Sequence, residues 1–319
     1  MTSHPPLLKR ISTLAFKAET TPGTKNLPGA SDGAVNAYDI DVQAEITVQE
    51  REVQGSFNRL KGSPGARKAT VSFKTDLGWD GLAHPQWASV LFPACGVVAS
   101  GDVYKPVSAP PSVSGVTTIT MSFYLDGMLK VAYGCMGNFK IVGTAGAMGM
   151  IEWEFQGLWD DVSDATIIDP SYPQDLPARF AEQSCTYDSI DQVVESVEFD
   201  CGNEVIMRED GSTDPGFKTA LVVDRYPKIN ANPEATLVAD QDTFGDWLAA
   251  EEAVFTYGFT GPSGTTTPGT IIIAAPKAQI LNCQAADRNK LAINDIEFGC
   301  NKNGQNEDEE FSITFTDKT

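Results

Sequence analysis

The sequence predicts a mainly β protein with two tandem domains, each carrying one short flanking α-helix. Three observations lead to this prediction. Most of the chain consists of short segments rich in Val, Ile, Thr and aromatic residues, bounded by Gly, Pro and Asp clusters. Only two segments have the spacing of an amphipathic helix. A similar order of elements occurs twice, and 319 residues are enough for two domains.

The strands are predicted where apolar and polar residues alternate between turn signals. They are YDIDVQAEITV (38–48), RKATVSFKTDL (67–77), TTITMSFYLDG (117–127), MGMIEWEF (148–155), VESVEFDC (194–201), FKTALVVD (217–224), TIIIAAP (270–276) and EEFSITFT (309–316). Their spacing is typical of all-β proteins rather than of βαβ units.

Two helices are predicted between the strand groups. The first, in DGLAHPQWASVLFPACG, has apolar residues at i, i+3, i+4 and i+7: Trp87, Val90, Leu91 and Ala94. Pro85 suits its first turn. The second repeats part of this spacing, with Asp242 and Thr243 as possible caps before Phe244, Trp247 and Leu248.

An internal duplication is predicted from matching segments in the same order. MGMIEWEF (148–155) matches LAINDIEF (291–298), and the preceding FKIV (139–142) matches AQIL (278–281). The turn between them is predicted to be longer in the second copy, at 282–290. Further upstream, GSPGARKATV (62–71) resembles STDPGFKTALV (212–222). Each copy then has a hairpin loop, a strand, a Trp-containing helix and a terminal hairpin.

The predicted domain boundaries follow from this duplication. Residues 1–36 form an N-terminal arm rich in loop residues, and residues 37–157 form the first domain. Residues 158–183, rich in Asp and Pro, form a linker, and residues 184–319 form the duplicated second domain.

Composition excludes several function classes. There are 43 acidic and 23 basic residues, giving a net charge of −20. This balance argues against a nucleic-acid-binding protein, which would need a basic stripe to displace counterions, and against docking on anionic membranes. No apolar run is long enough for a transmembrane helix, and the N-terminal residues have no apolar core typical of a secretory signal.

The sequence predicts no metal, no cofactor and no catalytic residue. The six cysteines form no CxxC pair, and only His4 and His84 could join them in a zinc site. They are expected to be reduced and to pack as small apolar residues. No nucleotide-binding motif and no GxSxG elbow is present, and the acidic segment NEDEEF (306–311) lacks EF-hand spacing.

Glu152 and Glu154 require separate consideration, because two carboxylates on one face of a strand can form a catalytic pair. The intervening residues Ile151, Trp153 and Phe155 are a core-facing set. We therefore interpret the two glutamates as the solvated face of a sheet.

Several segments in succession resemble the tail tube (major tail) proteins of long-tailed, siphovirus-type bacteriophages. The resemblance covers most of residues 10–160 and extends to the second half mainly through its likeness to the first. The segments are LAFKAETTPGT (15–24), ERE…G…KGSPGARKATVSFKTDL (50–77), PQWASVLFPACG (85–96) and YLDGMLKVAYGCMGNFKIVGTAGAMGMIEWEFQG (124–157).

The resemblance implies a fold and an assembly. Tail tube domains are β-sandwiches or partial barrels flanked by one helix, and six of them form a ring whose inner sheets join around a DNA channel. Two domains per chain predict a ring of three chains, and a hexamer with the second half as an outer decoration is the alternative. An acidic channel wall lets DNA slide, so the candidate lumen residues are Glu152, Glu154, Asp295 and Glu297.

The resemblance also implies contacts between stacked rings. The 49–66 segment concentrates Arg51, Arg59 and Lys61 and is the candidate inter-ring loop; an ordinary solvated hairpin is the alternative. The expected partners are the chain itself, the tape measure, terminator and distal tail proteins, and phage DNA without sequence-specific binding. No membrane partner is expected. The expected location is the virion tail, after assembly in the bacterial host cytoplasm.

Three other functions remain open from the sequence. A β-sandwich binding or adhesion module would need exposed aromatic residues, and a hydrolase would need a nucleophile and a base. Another tail ring protein, such as a terminator, would have similar sequence features.

Overall fold

The computed structural model describes residues 6–32, 35–79, 84–85, 87–261 and 268–316. The described residues form nineteen β-strands and two short α-helices, which confirms the mainly β prediction. The first half contains β1 (Ser12–Ala18), β2 (Ala37–Glu52), β3 (Arg59–Asp76), α1 (Ala88–Ala94), β4 (Val97–Ser100), β5 (Val103–Pro106), β6 (Ile119–Leu125), β7 (Met128–Thr144), β8 (Met150–Trp159) and β9 (Ser163–Asp164). The second half contains β10 (Thr186–Tyr187), β11 (Ile190–Asp191), β12 (Val194–Asp200), β13 (Asn203–Glu209), β14 (Phe217–Arg225), β15 (Lys228–Pro233), α2 (Thr243–Ala249), β16 (Glu252–Thr260), β17 (Thr270–Arg288), β18 (Leu291–Cys300) and β19 (Ser312–Thr316).

Eight antiparallel strands form a continuous sheet across both halves, in the order β2, β3, β8, β7, β12, β15, β18, β17. We call it the eight-strand sheet. β7 and β12 join the halves by five residue pairs, from Lys140 opposite Asp200 to Thr144 opposite Ser196. The two halves therefore share one hydrogen-bonded surface.

The hairpins β7–β8 and β17–β18 have matching registers. Trp153 lies opposite Phe139 in the first, and Ile296 lies opposite Cys283 in the second. The predicted match of FKIV (139–142) with AQIL (278–281) was therefore wrong, because residues 283–286 take the place of 139–142. The predicted long turn at 282–290 was wrong, because β17 continues to Arg288 and the turn is only Asn289-Lys290. Both turn residues have positive φ, 52° and 72°, as a tight two-residue hairpin turn requires.

The predicted match between 62–71 and 212–222 was also wrong. Residues 62–71 lie in β3, inside the eight-strand sheet, whereas β14 pairs only with β13 in a separate hairpin. β15 takes the place beside β18 that β3 takes beside β8. Short β patterns look alike because any half-buried strand alternates in the same way.

The main hydrophobic core covers one face of the eight-strand sheet. Helix α1 packs there, with the Phe92 ring centroid 5.0 Å from that of Phe139 and 5.5 Å from that of Trp153. Phe155, Phe199 and other apolar residues of both halves complete the cluster. All six cysteines are buried and free, as expected for small apolar residues. A single core thus spans both halves.

Helix α2 lies where the sequence predicts it, but its apolar residues are not buried. Asp242 caps it by accepting a hydrogen bond from the Gly245 amide at 2.9 Å. Thr243 is its only buried residue, and Leu248 is 91% exposed.

The N-terminal arm prediction was wrong for residues 12–18. They form β1, which pairs with β6 along its whole length and buries Leu14 and Phe16. The strand was missed because apolar and polar residues alternate too weakly in LAFKA to distinguish a strand from a short apolar segment within a loop. Residues 1–5, including His4, lie outside the described residues.

Glu19 fixes the segment that follows β1. Its buried carboxyl group accepts hydrogen bonds from the amides of Gly23 and Gly134 and from the hydroxyls of Thr118 and Thr120, at 2.6–2.8 Å. These four donors belong to different parts of the first half. The side chain therefore ties the N-terminal segment to the core.

We expect Glu19→Ala to lower the free energy of unfolding by about 3 kcal/mol, because it leaves several buried donors without an acceptor. Urea denaturation followed by circular dichroism measures this change. The exposed Glu204→Ala is the matched control, with an expected change under about 0.5 kcal/mol. Equal stability of the two variants would contradict the role of Glu19.

Candidate functional site

One face of the eight-strand sheet is apolar and the other is polar. In β8, Ile151, Trp153 and Phe155 are buried, while Glu152 and Glu154 point to the opposite side. The same alternation is clear in β3, β12 and β15, and in β2 the half-buried Ile40 and Val42 face the core side. We call this second surface the polar face; its residues are Asp41, Ser72, Lys74, Glu152, Glu154, Asn138, Lys140, Glu198, Asp200, Lys228, Asn230, Asp295, Glu297, Asn282 and Gln284.

Charges alternate along one row of the polar face. Lys74, Glu152, Lys140 and Asp200 occupy directly opposite positions on β3, β8, β7 and β12. The Lys74 ammonium lies 2.7 Å from the Glu152 carboxylate, and the Lys140 ammonium lies 3.0 Å from that of Asp200. Cross-strand pairs of opposite charge stabilise the register of a sheet.

A second set of ion pairs continues the row into the second half. Lys140 also lies 3.4 Å from Glu198, and the Lys228 ammonium lies 2.9 Å from the Glu297 carboxylate. The β7–β12 junction is therefore bridged by side chains as well as by the backbone.

These contacts change the pKa of their members. The hydrogen bond to Glu152 raises the pKa of Lys74, and the hydrogen bond to Asp200 raises that of Lys140. Burial acts to raise the pKa of Asp200, but hydrogen bonds from Asn138, Lys140 and the Gly202 amide together outweigh it and lower the pKa. Asp200 is thus held as a carboxylate.

We expect Asp200→Asn to lower the free energy of unfolding by about 1 kcal/mol at about pH 7. A lowered pKa stabilises the fold above the unfolded-state value of about 3.8, and this contribution is lost as the pH falls through the folded-state value. The difference in stability between wild type and Asp200→Asn should therefore be smaller at about pH 3 than at about pH 7. Urea denaturation at both pH values, with the exposed Asp295→Asn as control, checks this.

The polar face has an acidic excess of seven carboxylates over three lysines. Glu154 and Asp295 have no ion-pair partner within 4.0 Å among the described residues. Two shallow depressions follow this face, one around Glu152 and Lys140, the other around Glu198 and Glu297. The four candidate lumen residues thus lie on one surface.

The β2–β3 hairpin extends beyond the eight-strand sheet. β3 pairs with β8 only from Lys68 onward, and residues 46–67 continue as two strands. Arg51, Arg59 and Lys61 lie at its tip, where the Arg59 guanidinium is 2.9 Å from Glu50. Phe57 is fully exposed. The structure therefore brings the three candidate inter-ring residues together on a protruding element.

A family model for phage tail tube proteins matches residues 10–298. The chain belongs to the phage tail tube protein family. The match confirms the predicted resemblance and extends it well beyond residue 160, into the second half. A search of curated proteins found no match.

Membership in the family makes this tube protein a structural component of the virion tail that associates with itself and with other tail components. The family is one of structural proteins. Among the described residues, no helix is long and apolar enough to span a membrane, and no three His, Cys, Asp or Glu side chains cluster as metal ligands.

Sequence analysis identified only Glu152 and Glu297 among the seven members of the charged row in this tube protein. Lys74, Lys140, Glu198, Asp200 and Lys228 are the additional members. The signal for the first two was present, since Lys74 and Lys140 alternate with Phe73, Phe139 and Ile141 in apolar-polar patterns typical of strands.

Proposed function

We propose that three copies of this tube protein close a ring, and that stacked rings form the tail tube through which DNA is ejected into the host. The observation that carries the proposal is the β7–β12 junction. It joins two similar four-strand units edge to edge within one chain. A repeat of the same junction between chains continues the sheet.

The register supports two equivalent units. β8 and β18 match, with Glu152 opposite Lys140 and Asp295 opposite Gln284. β3 and β15 match, because Val71 lies opposite Phe155 and Ile229 lies opposite Phe298. The first unit thus has the strand order β2, β3, β8, β7. The second unit has the matching order β12, β15, β18, β17. This supports two tandem tube domains joined by the 158–183 linker.

Each end of the eight-strand sheet has an open edge. β2 pairs only with β3, and residues 282–288 of β17 pair only with β18 among the described residues. Long open edges cause uncontrolled aggregation unless they are covered. Pairing β17 of one copy with β2 of the next covers both.

The internal junction gives the register of this pairing. At the proposed junction, Gln284 takes the position of Lys140 and Gln43 takes that of Asp200. In the same way, Ala286 takes the position of Val142 and Asp41 takes that of Glu198. We expect Gln43 to lie opposite Gln284 of the neighbouring copy, and Asp41 opposite Ala286. Three internal and three intermolecular junctions then complete a pseudo-sixfold ring.

This arrangement favours a trimer over a hexamer with the second half outside. An outer decoration would not share the inner sheet, whereas β12 pairs directly with β7. Negative-stain electron microscopy of the purified protein tests the proposal. Hollow rings or tubes with three- or sixfold end views support it, and compact monomers at high concentration contradict it.

The polar face is proposed to line the lumen. Its excess of carboxylates, which includes Glu152, Glu154, Asp295 and Glu297, repels the DNA phosphates. The wall is therefore proposed to pass DNA without sequence-specific binding. The core side is filled by helix α1 and aromatic residues, which leaves the polar face as the surface that can meet solvent.

We expect tubes of Glu154→Lys/Asp295→Lys to retain duplex DNA that wild-type tubes do not retain, because each ring gains cations on the lumen wall. Co-sedimentation of tubes with a short duplex measures this, and the retention should fall steeply with salt. Glu204→Lys/Glu209→Lys on β13 changes the net charge equally outside the polar face. Equal retention by both variants would contradict a lumen role for the polar face.

Stacking is proposed to use the β2–β3 hairpin, with Arg51, Arg59 and Lys61 at its tip. A two-stranded hairpin that leaves its sheet is marginally stable alone, so it gains order from a neighbouring ring. The tape measure, terminator and distal tail proteins are the proposed further partners, and assembly is proposed to occur in the host cytoplasm.

A further inference from the structure

Helix α2 carries an apolar face that its own chain leaves uncovered. Phe244, Trp247 and Leu248 lie at i, i+3 and i+4, so they share one side of the helix. Leu248 is 91% exposed, Phe244 52% and Trp247 37%, whereas Leu91 and Phe92 of α1 are fully buried. We call the three exposed residues the α2 face. Large apolar side chains exposed together on one side of a helix mark an interaction surface.

Helix α2 occupies the same place in the second four-strand unit as α1 occupies in the first. α1 lies against β7, the last strand of the first unit, and α2 lies against β17, the last strand of the second. Beyond β7 the sheet continues with β12 of the same chain. Beyond residues 282–288 of β17, no described residue continues it. α2 therefore lies behind the open edge at which the proposed junction forms.

At the internal junction, the second half closes over α1. The ring centroid of Phe315 in β19 lies 6.5 Å from that of Trp87, the residue directly before α1. The ring centroid of Phe199 in β12 lies 6.0 Å from that of Phe139, against which Phe92 packs. The burial of α1 thus depends in part on apolar side chains that the following unit supplies.

The corresponding positions at the open edges are incomplete. Ile141 and Phe199 lie opposite each other at the internal junction, and both are fully buried. Their counterparts at the proposed junction are Ala285, which is exposed, and Val42, which is half-buried. Ile40 is half-buried as well, and it packs against the core together with Val42. β2 therefore has a partly open apolar side next to the edge that the proposed junction joins to β17.

We propose that the α2 face of one copy packs against the first half of the neighbouring copy in the same ring, beside Ile40 and Val42 of its β2. This inference rests on the proposed function, because it requires β17 and β2 of neighbouring copies to pair. It adds a second layer of contact behind that junction. The occupant is a second copy, because the internal junction already joins two such units with the helix of the first covered by the second.

Tryptophan fluorescence reports directly on the α2 face. Trp247 is the most exposed of the five tryptophans, because the other four are buried: Trp79, Trp87, Trp153 and Trp159. Its quenching by acrylamide should be several-fold weaker in single rings, separated from tubes by sedimentation, than in chains diluted below the concentration at which rings form. Trp247→Phe keeps an apolar ring at this position and should abolish the difference between the two samples.

Leu248→Glu tests the same contact through assembly. The side chain is exposed in the single chain, so thermal unfolding of the diluted variant should match that of wild type. The concentration at which half of the chains form rings should rise about ten-fold, because a charge then enters an apolar contact. Val223→Glu is the matched control. Val223 is 48% exposed on β14, which pairs only with β13, and this variant should form rings as wild type does.

The outcomes separate the helix contact from ring closure. Rings in which Trp247 is quenched as strongly as in diluted chains would overturn the contact and leave the ring proposal intact. Ring formation by Leu248→Glu at the wild-type concentration, or equal losses in Leu248→Glu and Val223→Glu, would do the same. A wild-type protein that forms no rings would overturn both proposals.

Discussion

Replacing residues 47–66 with Asn-Gly should give a protein that folds and closes rings but forms no tubes. Ile46 and Arg67 lie directly opposite each other, and Asn-Gly forms the two-residue turn that joins such a pair. The removed segment is exposed along nearly its whole length, so the fold loses little buried surface. The loss of tubes should be complete, since every ring-to-ring contact of the hairpin is removed.

Two measurements check this variant. Thermal unfolding should show a midpoint within about 4 °C of wild type, because the change in stability is under about 1 kcal/mol. Electron microscopy should show single rings. Tubes of normal length would contradict the inter-ring role of the hairpin, and an unfolded variant would show that the hairpin stabilises the chain itself.

The second large effect is expected from Gln43→Cys/Gln284→Cys. The proposed junction places these two positions directly opposite each other on neighbouring copies, with Cα atoms about 5 Å apart, which suits a disulfide. Under oxidising conditions most of the protein should run as a covalent three-chain species on a non-reducing gel. The native cysteines are buried and should not react.

A register control accompanies this prediction. Gln43→Cys/Asn282→Cys shifts one partner by two residues on the same face, which moves the thiols about 7 Å apart. Its cross-linking yield should be several-fold lower. Equal yields from the two pairs would show that β2 and β17 do not pair in the proposed register, and no cross-linking in either would contradict the junction.

Local pattern is enough to predict some of the architecture. The alternation of Ile151, Trp153 and Phe155 with Glu152 and Glu154 identifies the two faces of β8 from the sequence alone. The helical spacing around Leu91 identifies α1 in the same way. Both features depend only on residues near each other in sequence.

Features set by distant pairing could not be predicted in this way. Nothing in the sequence near Lys140 indicates that Asp200, rather than a residue of another strand, lies beside it. The same limit explains why β14 was taken as the counterpart of β3, since its alternation fits a sheet that it does not join. Helix α2 shows a further limit, because amphipathic spacing predicts an apolar face but not whether the same chain or another copy covers it.

Native mass spectrometry of assembled rings tests most directly whether two tandem domains per chain close a ring of three copies. We expect a closed species of three chains, each of 34.2 kDa, with threefold end views in electron micrographs of the same sample. Rings of six chains would contradict this arrangement. Each chain would then supply one of six positions in the ring, whereas the continuous sheet through β7 and β12 predicts that each chain supplies two.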